Sequence, residues 1–142
     1  MLATLKARGF AVELLSGDRA SAVAPVAAAL GIERWQADCT PAEKIARLEA
    51  LAAEGRRCCM VGDGLNDAPA LAAAAASISP STAADISQTA ADVVFQGDRL
   101  MPVVETIRVA RMANRLVRQN FGLAFGYNVI TVPIAMAGLV TP

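Results

Sequence analysis

The first 99 residues alternate short apolar runs with helix-forming segments, and this alternation restricts the fold more than any other feature. The predicted strands are Phe10–Leu15, Arg34–Ala37, Cys58–Val61, Ala76–Ser79 and Asp92–Phe95. The predicted helices between them are Ala20–Leu30, Pro41–Glu54, Ala68–Ala75 and Ala83–Thr89. Strands joined by helices of this length form right-handed β-α-β units with parallel strands. We therefore predict an α/β fold in which helices cover both faces of a mostly parallel sheet.

The character of the sequence changes near Leu100, where one long uninterrupted helix is predicted. Arg118 is the last charged residue, and Phe121 to Val140 is almost entirely apolar. About 20 such residues are needed for a helix to cross a bilayer. We therefore predict three regions, namely a domain over 1–99, a cytoplasmic stalk over 100–120 and a transmembrane helix over 121–142. A buried core helix is the alternative for the last region.

Charge is distributed unevenly between these regions. Residues 1–98 hold eight Lys and Arg against twelve Asp and Glu, a net charge of −4, whereas residues 99–142 hold five Arg against one Glu, a net charge of +4. Positive charge just before an apolar run is typical of a cytoplasmic flank. No aromatic residues interleave these arginines, so we expect no nucleic-acid binding.

Two short loops follow predicted strands and contain the residues that phosphoryl transfer needs. Ser16, Gly17 and Asp18 follow one strand, and Gly62 and Asp63 follow another. In parallel α/β sheets the functional loops lie at the carboxyl ends of the strands. Such chemistry requires carboxylates for Mg²⁺, a cation for phosphate charge and short hydrogen-bond donors. Each feature alone has a structural alternative, since such loops are often simple turns and a lone lysine is usually solvated.

The three cysteines are Cys39, Cys58 and Cys59, and they show no C-x-x-C spacing. We interpret them as small buried hydrophobic residues rather than as a metal site.

Three segments in the same order resemble a known family. Residues 62–69, Gly-Asp-Gly-Leu-Asn-Asp-Ala-Pro, are similar to the hinge motif of P-type ATPases. Ser16-Gly17-Asp18 resembles their Thr-Gly-Asp motif, and residues 40–44, Thr-Pro-Ala-Glu-Lys, resemble their Pro-x-x-Lys segment. The resemblance implies a partial Rossmann-like, haloacid-dehalogenase-like phosphorylation domain.

The resemblance also implies roles for individual residues. Asp63 and Asp67 would hold Mg²⁺, and Lys44 and Ser16 would contact the phosphoryl group. Asp18 would orient the Ser16 loop. The residues expected to line the cofactor are Gly17, Gly62, Gly64 and Asn66. The family's nucleophilic Asp-Lys-Thr-Gly-Thr motif is absent from these residues. We therefore expect this chain alone to be inactive, with ATP bound mainly by domains outside it.

The apolar segment indicates which ion the family member would transport. Gln119 through Tyr127, Asn128 and Pro133 resembles a helix of copper-transporting P-type ATPases, in which a Tyr-Asn pair contributes to the Cu⁺ site. Tyr127 and Asn128 are therefore the expected Cu⁺ ligands. Their structural alternative is an interfacial aromatic residue and an interhelical hydrogen bond.

Two further features refine this assignment. Zinc-type pumps tend to carry a lysine in this helix, and none is present. The segment 77–80, Ser-Ile-Ser-Pro, resembles the FixI/CcoI-type branch, which is associated with copper supply to haem–copper oxidases in bacteria.

The expected partners are a membrane, the remaining domains of the pump and a copper chaperone. The expected location is the inner membrane of a bacterium, with residues 1–120 cytoplasmic. The alternatives are a soluble haloacid-dehalogenase-like phosphatase and a non-catalytic truncated fragment.

Overall fold

The structure, a computed structural model, describes residues 1–63, 65–97 and 99–137, without the side chain of Leu65. The chain divides into two compact units, Met1–Val104 and Glu105–Pro142. In chain order its elements are α1 Leu2–Ala7, β1 Glu13–Leu15, α2 Ala20–Leu30, β2 Arg34–Gln36, α3 Pro41–Ala53, β3 Cys59–Val61, a 3₁₀ helix Leu65–Asp67, α4 Ala68–Ala73, β4 Ala76–Pro80, α5 Asp85–Ala90, β5 Val93–Phe95 and α6 Met101–Met136.

The predicted α/β class is confirmed, and each predicted strand and helix of the first 99 residues has a counterpart displaced by at most a few residues. Each strand pair in the described part of the chain is parallel. The predicted division at 99/100 and 120/121 stays a prediction, since a single helix runs across both the expected stalk and the start of the expected membrane segment.

The strands form two sheets rather than the single sheet that the alternation suggests. One sheet has the order β1-β2, and the other has the order β3-β4-β5. In the second sheet β4 is central, and its Ile78 pairs with Val61 on one side and Val93 on the other. Within the described residues, β1 and β3 each have a ladder partner on one side only. Both strands are therefore edge strands, and each is joined to its parallel partner by a helical crossover.

The unpaired edge of β3 explains why one interpretation of the cysteines is wrong. Cys39 is buried as expected, but Cys58 is only partly buried and Cys59 is exposed. Val61 on the same strand is also exposed. An edge strand loses the cover that a neighbouring strand would give, so a run that reads as a buried strand is left accessible here. Although the residue as a whole is exposed, desolvation of its thiol raises the pKa of Cys59.

The core of the first unit lies between the helices and the sheets. Its most buried apolar side chains include Val23, Leu71, Ile78, Phe95 and Val103. Helix α3 contributes Leu48 and Leu51, four and seven residues after Lys44. Because residues at these spacings share one face of a helix, Lys44 lies on the same buried face as the two leucines.

The predicted transmembrane helix over 121–142 is not found in the described part of the chain. Helix α6 ends at Met136, and no helix among these residues is both long enough and apolar enough to cross a membrane. Residues 138–142 of the predicted span lie outside the described residues. The part of the predicted span that is described is shorter than the about 20 residues required, and it contains the polar Tyr127 and Asn128.

Candidate phosphoryl-transfer site

The loop after β1 folds around its own serine. Ser16 Oγ donates to Asp18 Oδ2 at 3.1 Å, and it accepts a hydrogen bond from the Asp18 backbone N–H at 3.2 Å. A short polar side chain that bonds to the backbone two residues later is a common way to fix a turn. Ser16 and Asp18 are therefore bonded to each other within this loop, and the orienting role that the family resemblance implies for Asp18 stays a prediction.

A second loop, between β2 and α3, packs directly against the first. The Cys39 N–H donates to the Ser16 carbonyl at 2.9 Å, and the Asp38 N–H donates to the Asp18 carbonyl at 2.8 Å. A Cβ on Gly17 would lie 3.4 Å from the Cys39 carbonyl oxygen, in van der Waals contact with it, so Gly17 lies directly against the second loop. Asp38 itself has a φ of 52°, an uncommon value for a residue other than glycine.

Helix α3 begins immediately after this loop with a capping box. The Thr40 hydroxyl accepts from the Glu43 N–H at 3.3 Å, and the Glu43 carboxylate accepts from the Thr40 N–H at 2.7 Å. The Thr40 hydroxyl also donates to the Glu43 carboxylate at 2.7 Å, and the two bonds donated to this carboxylate by Thr40 lower the pKa of Glu43. The box satisfies two of the amide groups that a helix start leaves without partners. It thereby fixes the first turn of α3, from which Lys44 projects.

Lys44 connects this loop cluster to the loop after β3. Its ammonium nitrogen donates to Asp67 Oδ1 at 2.5 Å. The two side chains are only 9% and 14% exposed. A charge-assisted bond in a largely buried setting is short and strong. The pair joins the start of α3 to the 3₁₀ helix Leu65–Asp67, so it connects the loops of the two sheets.

Gly62 makes room for this carboxylate. A Cβ on Gly62 would lie 2.9 Å from the Asp67 Cβ and 3.0 Å from Asp67 Oδ2. Gly62 is buried, and its N–H donates to the Ile78 carbonyl at 3.2 Å, extending the ladder beyond β3. The glycine at this position is therefore required by the close approach of Asp67.

The carboxylates on this loop fit a Mg²⁺ site. Asp63 is exposed and Asp67 is partly buried, four residues apart. Mg²⁺ in phosphoryl-transfer enzymes is held by one or two carboxylates together with water and substrate phosphate. Among the described residues no three His, Cys, Asp or Glu side chains gather into a metal site of their own. Because water and substrate phosphate supply the other ligands of Mg²⁺, two carboxylates on this loop are enough protein ligands for such a site.

The remaining predicted site residues are placed as follows. Asn66 is exposed in the 3₁₀ helix, and the prediction for Gly64 lies outside the described residues. Tyr127 and Asn128 lie on α6 in the second unit, where Tyr127 is 66% exposed. The Asn128 amide donates to the Ala124 carbonyl at 2.8 Å, which leaves its carbonyl oxygen as the group available for a ligand.

A cluster around Glu13 was not predicted. Arg47 donates to the Glu13 carboxylate through Nε and Nη2, both at 3.0 Å, and Arg34 reaches it at 3.4 Å. The Arg47 bonds hold the pKa of Glu13 below its usual range. Glu13 is the first residue of β1 and so lies at the opposite end of the strand from Ser16. The one signal in the sequence was the position of Glu13 inside a short apolar strand, because a charged side chain in such a strand needs a partner.

A second polar group missed by sequence reasoning lies beside β4. Ser77 donates to Asp92 Oδ2 through its N–H at 2.8 Å and its hydroxyl at 3.0 Å. Ser77 and Ser79 are both buried, and the Ser79 hydroxyl has no hydrogen-bond partner among the described residues. Strand β4, which contains the segment 77–80, therefore carries two buried polar side chains beside the buried Ile78.

Sequence comparison with curated proteins finds long matches to P-type ATPases. Over all 142 residues the chain is 56% identical to the nitrogen fixation protein FixI of Bradyrhizobium diazoefficiens. Over 97% of its length it is 40% identical to a probable copper-exporting P-type ATPase V of Mycobacterium tuberculosis. It spans about a fifth of the length of these relatives, 20% and 18% respectively.

Solved structures show the same relationship. The structure of a zinc-transporting PIB-type ATPase matches 99% of this chain with a TM-score of 0.87 and 31% identity, and the match covers 23% of that protein. The catalytic domain of the CPx-ATPase CopB-B matches 66% of this chain with a TM-score of 0.63 and 35% identity, and the match covers 38% of that domain.

The family model that matches describes a haloacid dehalogenase-like hydrolase, and it covers residues 1–75. That range contains the Ser16 loop, Lys44 and the loop from Gly62 to Asp67. The resemblance stated from these segments is confirmed, because the curated relatives are FixI and copper-exporting P-type ATPases and the solved relatives have the same fold. The chain belongs to the haloacid dehalogenase-like hydrolase family.

Proposed function

We propose that this chain is part of the phosphorylation domain of an ATP-driven heavy-metal cation pump that works through an aspartyl-phosphate intermediate. The Lys44–Asp67 ion pair is the observation that supports this most strongly. It joins the two loop clusters at the carboxyl ends of the two sheets, which is the position of functional loops in parallel α/β folds. The similarity of the whole chain to P-type ATPases gives independent support.

The residues of the site divide the chemistry between them. The Ser16 hydroxyl has one hydrogen, which it donates to Asp18 in this structure, so it would turn away from Asp18 to donate that hydrogen to a phosphoryl oxygen. Lys44 has three donor hydrogens, and after one is given to Asp67 the others would contact the phosphoryl group. Asp63 and Asp67 would hold Mg²⁺, which would offset phosphate charge. The nucleophilic aspartate would come from outside this chain, and ATP would be bound mainly by other domains.

We propose Cu⁺ as the transported ion. Tyr127 and Asn128 support this because they resemble the Tyr-Asn pair of copper-transporting pumps, and both line one open groove on α6. Since the zinc-transporting relative has the same fold, the fold does not distinguish the two ions. Oxygen ligands suit harder ions, so a Cu⁺ site at this position would require thiolate or thioether ligands from other helices.

The proposed location is a bacterial inner membrane, with residues 1–120 on the cytoplasmic side. The relatives named as copper-exporting and zinc-transporting support it, because such transport takes place across a membrane. The proposed partners are the remaining domains of the pump and a copper chaperone.

The proposed ion is tested in the full-length protein that contains this chain. Cu⁺ should stimulate phosphorylation from ATP, and Asn128→Ala should abolish this stimulation while sparing Mg²⁺-dependent phosphorylation by inorganic phosphate. Asn114→Ala is a matched control, because Asn114 is an exposed asparagine on the same helix and does not line the groove of Tyr127 and Asn128. Equal Cu⁺ stimulation in Asn128→Ala would remove Asn128 from the transport site, and stimulation by Zn²⁺ alone would refute the copper assignment.

The second candidate is a soluble phosphatase of the same family. The specific observation in its favour is that the family-model match covers residues 1–75 and needs no part of α6. This candidate predicts turnover of phosphate monoesters by the full-length protein, without stimulation by Cu⁺ or Zn²⁺. The pump predicts a phosphoenzyme whose formation from ATP depends on the transported ion.

A further inference from the structure

The second unit carries arginines on one side of α6. Arg111, Arg115 and Arg118 are spaced by four and three residues, so they share one face of the helix, which we call the arginine face. All three are exposed and line one open groove. The proximity of the three side chains makes this face a site of concentrated positive charge.

The charge of this region is not balanced by its own acidic residues. Residues 99–142 contain five arginines and one glutamate, a net charge of +4. That glutamate, Glu105, is bonded by Arg108, whose Nε donates to it at 3.0 Å. No acidic residue follows Glu105 in the sequence. The net charge of +4 over this region therefore favours an anionic surface.

An exposed apolar segment follows the arginine face directly. Phe121, Leu123 and Phe125 are 72%, 76% and 73% exposed. With a rise of about 1.5 Å per residue, Arg118 lies about 4.5 Å and Arg111 about 15 Å before Phe121 along the helix axis. One helix thus presents cations and large apolar side chains in adjacent layers.

We propose that the arginine face binds the headgroups of anionic phospholipids. The inference rests on the membrane location proposed above, and it names the chemistry of the surface that the helix meets. Guanidinium groups bind phosphate oxygens in a bidentate manner, and the apolar side chains that follow would enter the acyl layer. An anionic surface strengthens binding by about fivefold for each nearby basic residue.

The same charges could attract nucleic acid, but one observation favours a lipid surface. A nucleic acid offers no apolar phase for the exposed side chains of Phe121, Leu123 and Phe125. Of the two, a lipid surface alone satisfies both adjacent layers of the helix.

The test uses the full chain and sedimentation with vesicles of phosphatidylcholine alone or with one-third phosphatidylglycerol. The wild type should prefer the anionic vesicles, and this preference should weaken with salt. Arg111→Gln/Arg115→Gln/Arg118→Gln should bind anionic vesicles roughly 100-fold more weakly at low salt. Its binding to neutral vesicles should be unchanged.

Two further variants separate local charge from other effects. The control Arg8→Gln/Arg19→Gln/Arg57→Gln removes the same charge from exposed positions of the first unit and should keep the preference. Replacement of the three α6 arginines by lysine should keep most of it, because the charge remains. This variant also shows whether a loss in the glutamine variant comes from altered folding.

The outcomes that overturn the proposal are distinct. If the glutamine variant keeps the anionic preference, the arginine face is not the binding surface. If the wild type binds both vesicle types equally, the proposal fails and the membrane location stands, whereas absence of binding to either type contradicts both. Binding to a short DNA duplex as tight as to anionic vesicles would overturn the assignment to lipid and make the face a general polyanion surface.

Discussion

The ammonium of Lys44 donates to the carboxylate of Asp67 at 2.5 Å, and both side chains are almost fully enclosed. Lys44 lies at the start of the helix that follows β2, and Asp67 lies in the 3₁₀ helix that follows β3. Since β2 and β3 belong to different sheets, this ion pair links the two halves of the first unit at the candidate site.

Lys44→Met should destabilise the chain strongly, because it leaves Asp67 charged and enclosed without its partner. Removing one member of a buried ion pair costs about 3–5 kcal/mol. The double variant Lys44→Met/Asp67→Leu should recover a large part of this loss, since no buried charge remains. Urea unfolding of the single and double variants measures both effects, and equal unfolding free energies for Lys44→Met and the wild type would contradict the enclosed pair.

Gly62→Ala should displace the Asp67 side chain, because the added Cβ would lie 2.9 Å from the Asp67 Cβ. Forcing an extra methyl into a packed site costs about 1–3 kcal/mol. Gly122→Ala is the matched control, since a Cβ at Gly122 meets nothing within 4 Å and alanine is the better helix former by about 1 kcal/mol. The Tm should therefore fall in Gly62→Ala and rise in Gly122→Ala. A Gly62→Ala variant with the Tm of the wild type would show that Asp67 has room to move.

Glu13→Gln should lower the unfolding free energy at neutral pH by about 1.5–3 kcal/mol, the usual contribution of hydrogen bonds to a charged group. Its two bonds from Arg47 are made to the ionised carboxylate. Arg19→Gln, at an exposed position, is a control for the loss of a charged side chain. A Glu13→Gln variant as stable as the wild type would mean that the cluster adds no net stability.

The same carboxylate makes stability depend on pH in a defined direction. Because the pKa of Glu13 is lowered in the folded state, its contribution is present above the unfolded pKa of about 4.3 and is lost as pH falls through the folded value. The Thr40 bonds lower the pKa of Glu43 and act in the same direction. Denaturant unfolding at several pH values should show that the unfolding free energy falls less at low pH in Glu13→Gln than in the wild type, and least in the double variant with Glu43→Gln. An unchanged fall in both variants would show that neither carboxylate contributes to the pH dependence of stability.

Ser79→Ala should leave the stability unchanged or increase it, whereas Ser77→Ala should reduce it. The Ser79 hydroxyl is buried without a partner among the described residues, so its removal relieves an uncompensated desolvation. The Ser77 hydroxyl bonds Asp92 at 3.0 Å, and its loss leaves that carboxylate with fewer donors. Differential scanning calorimetry of the two variants distinguishes them, and equal destabilisation would indicate that Ser79 also has a partner, such as a buried water.

The sequence predicts the elements of the first unit well because each has a local cause. Helix α3 begins at Pro41 as predicted, since the cap residue Thr40 and Glu43 three residues later form a capping box. Helix α2 matches its predicted bounds, Ala20–Leu30, and is capped by Gly31, whose φ is 63°. Local signals of this kind need no knowledge of distant residues.

The features that were missed depend on partners far apart in the chain. Glu13 and Arg47 are 34 residues apart, and Ser77 and Asp92 are 15 apart, so no local pattern joins them. The exposure of Cys59 follows from the unpaired edge of β3, which composition does not reveal. The Lys44–Asp67 contact could be expected in outline, because both residues belong to motifs at strand ends, but its burial could not.

Phosphorylation of Asp63 variants tests the central claim most directly. In the full-length protein containing this chain, Asp63→Asn should abolish phosphoenzyme formation from ATP and from inorganic phosphate with Mg²⁺. Glu49→Gln, an exposed carboxylate on α3, should label like the wild type. Normal labelling of Asp63→Asn in both reactions would show that Asp63 does not hold the catalytic Mg²⁺, and would contradict the assignment of this loop to a phosphorylation site.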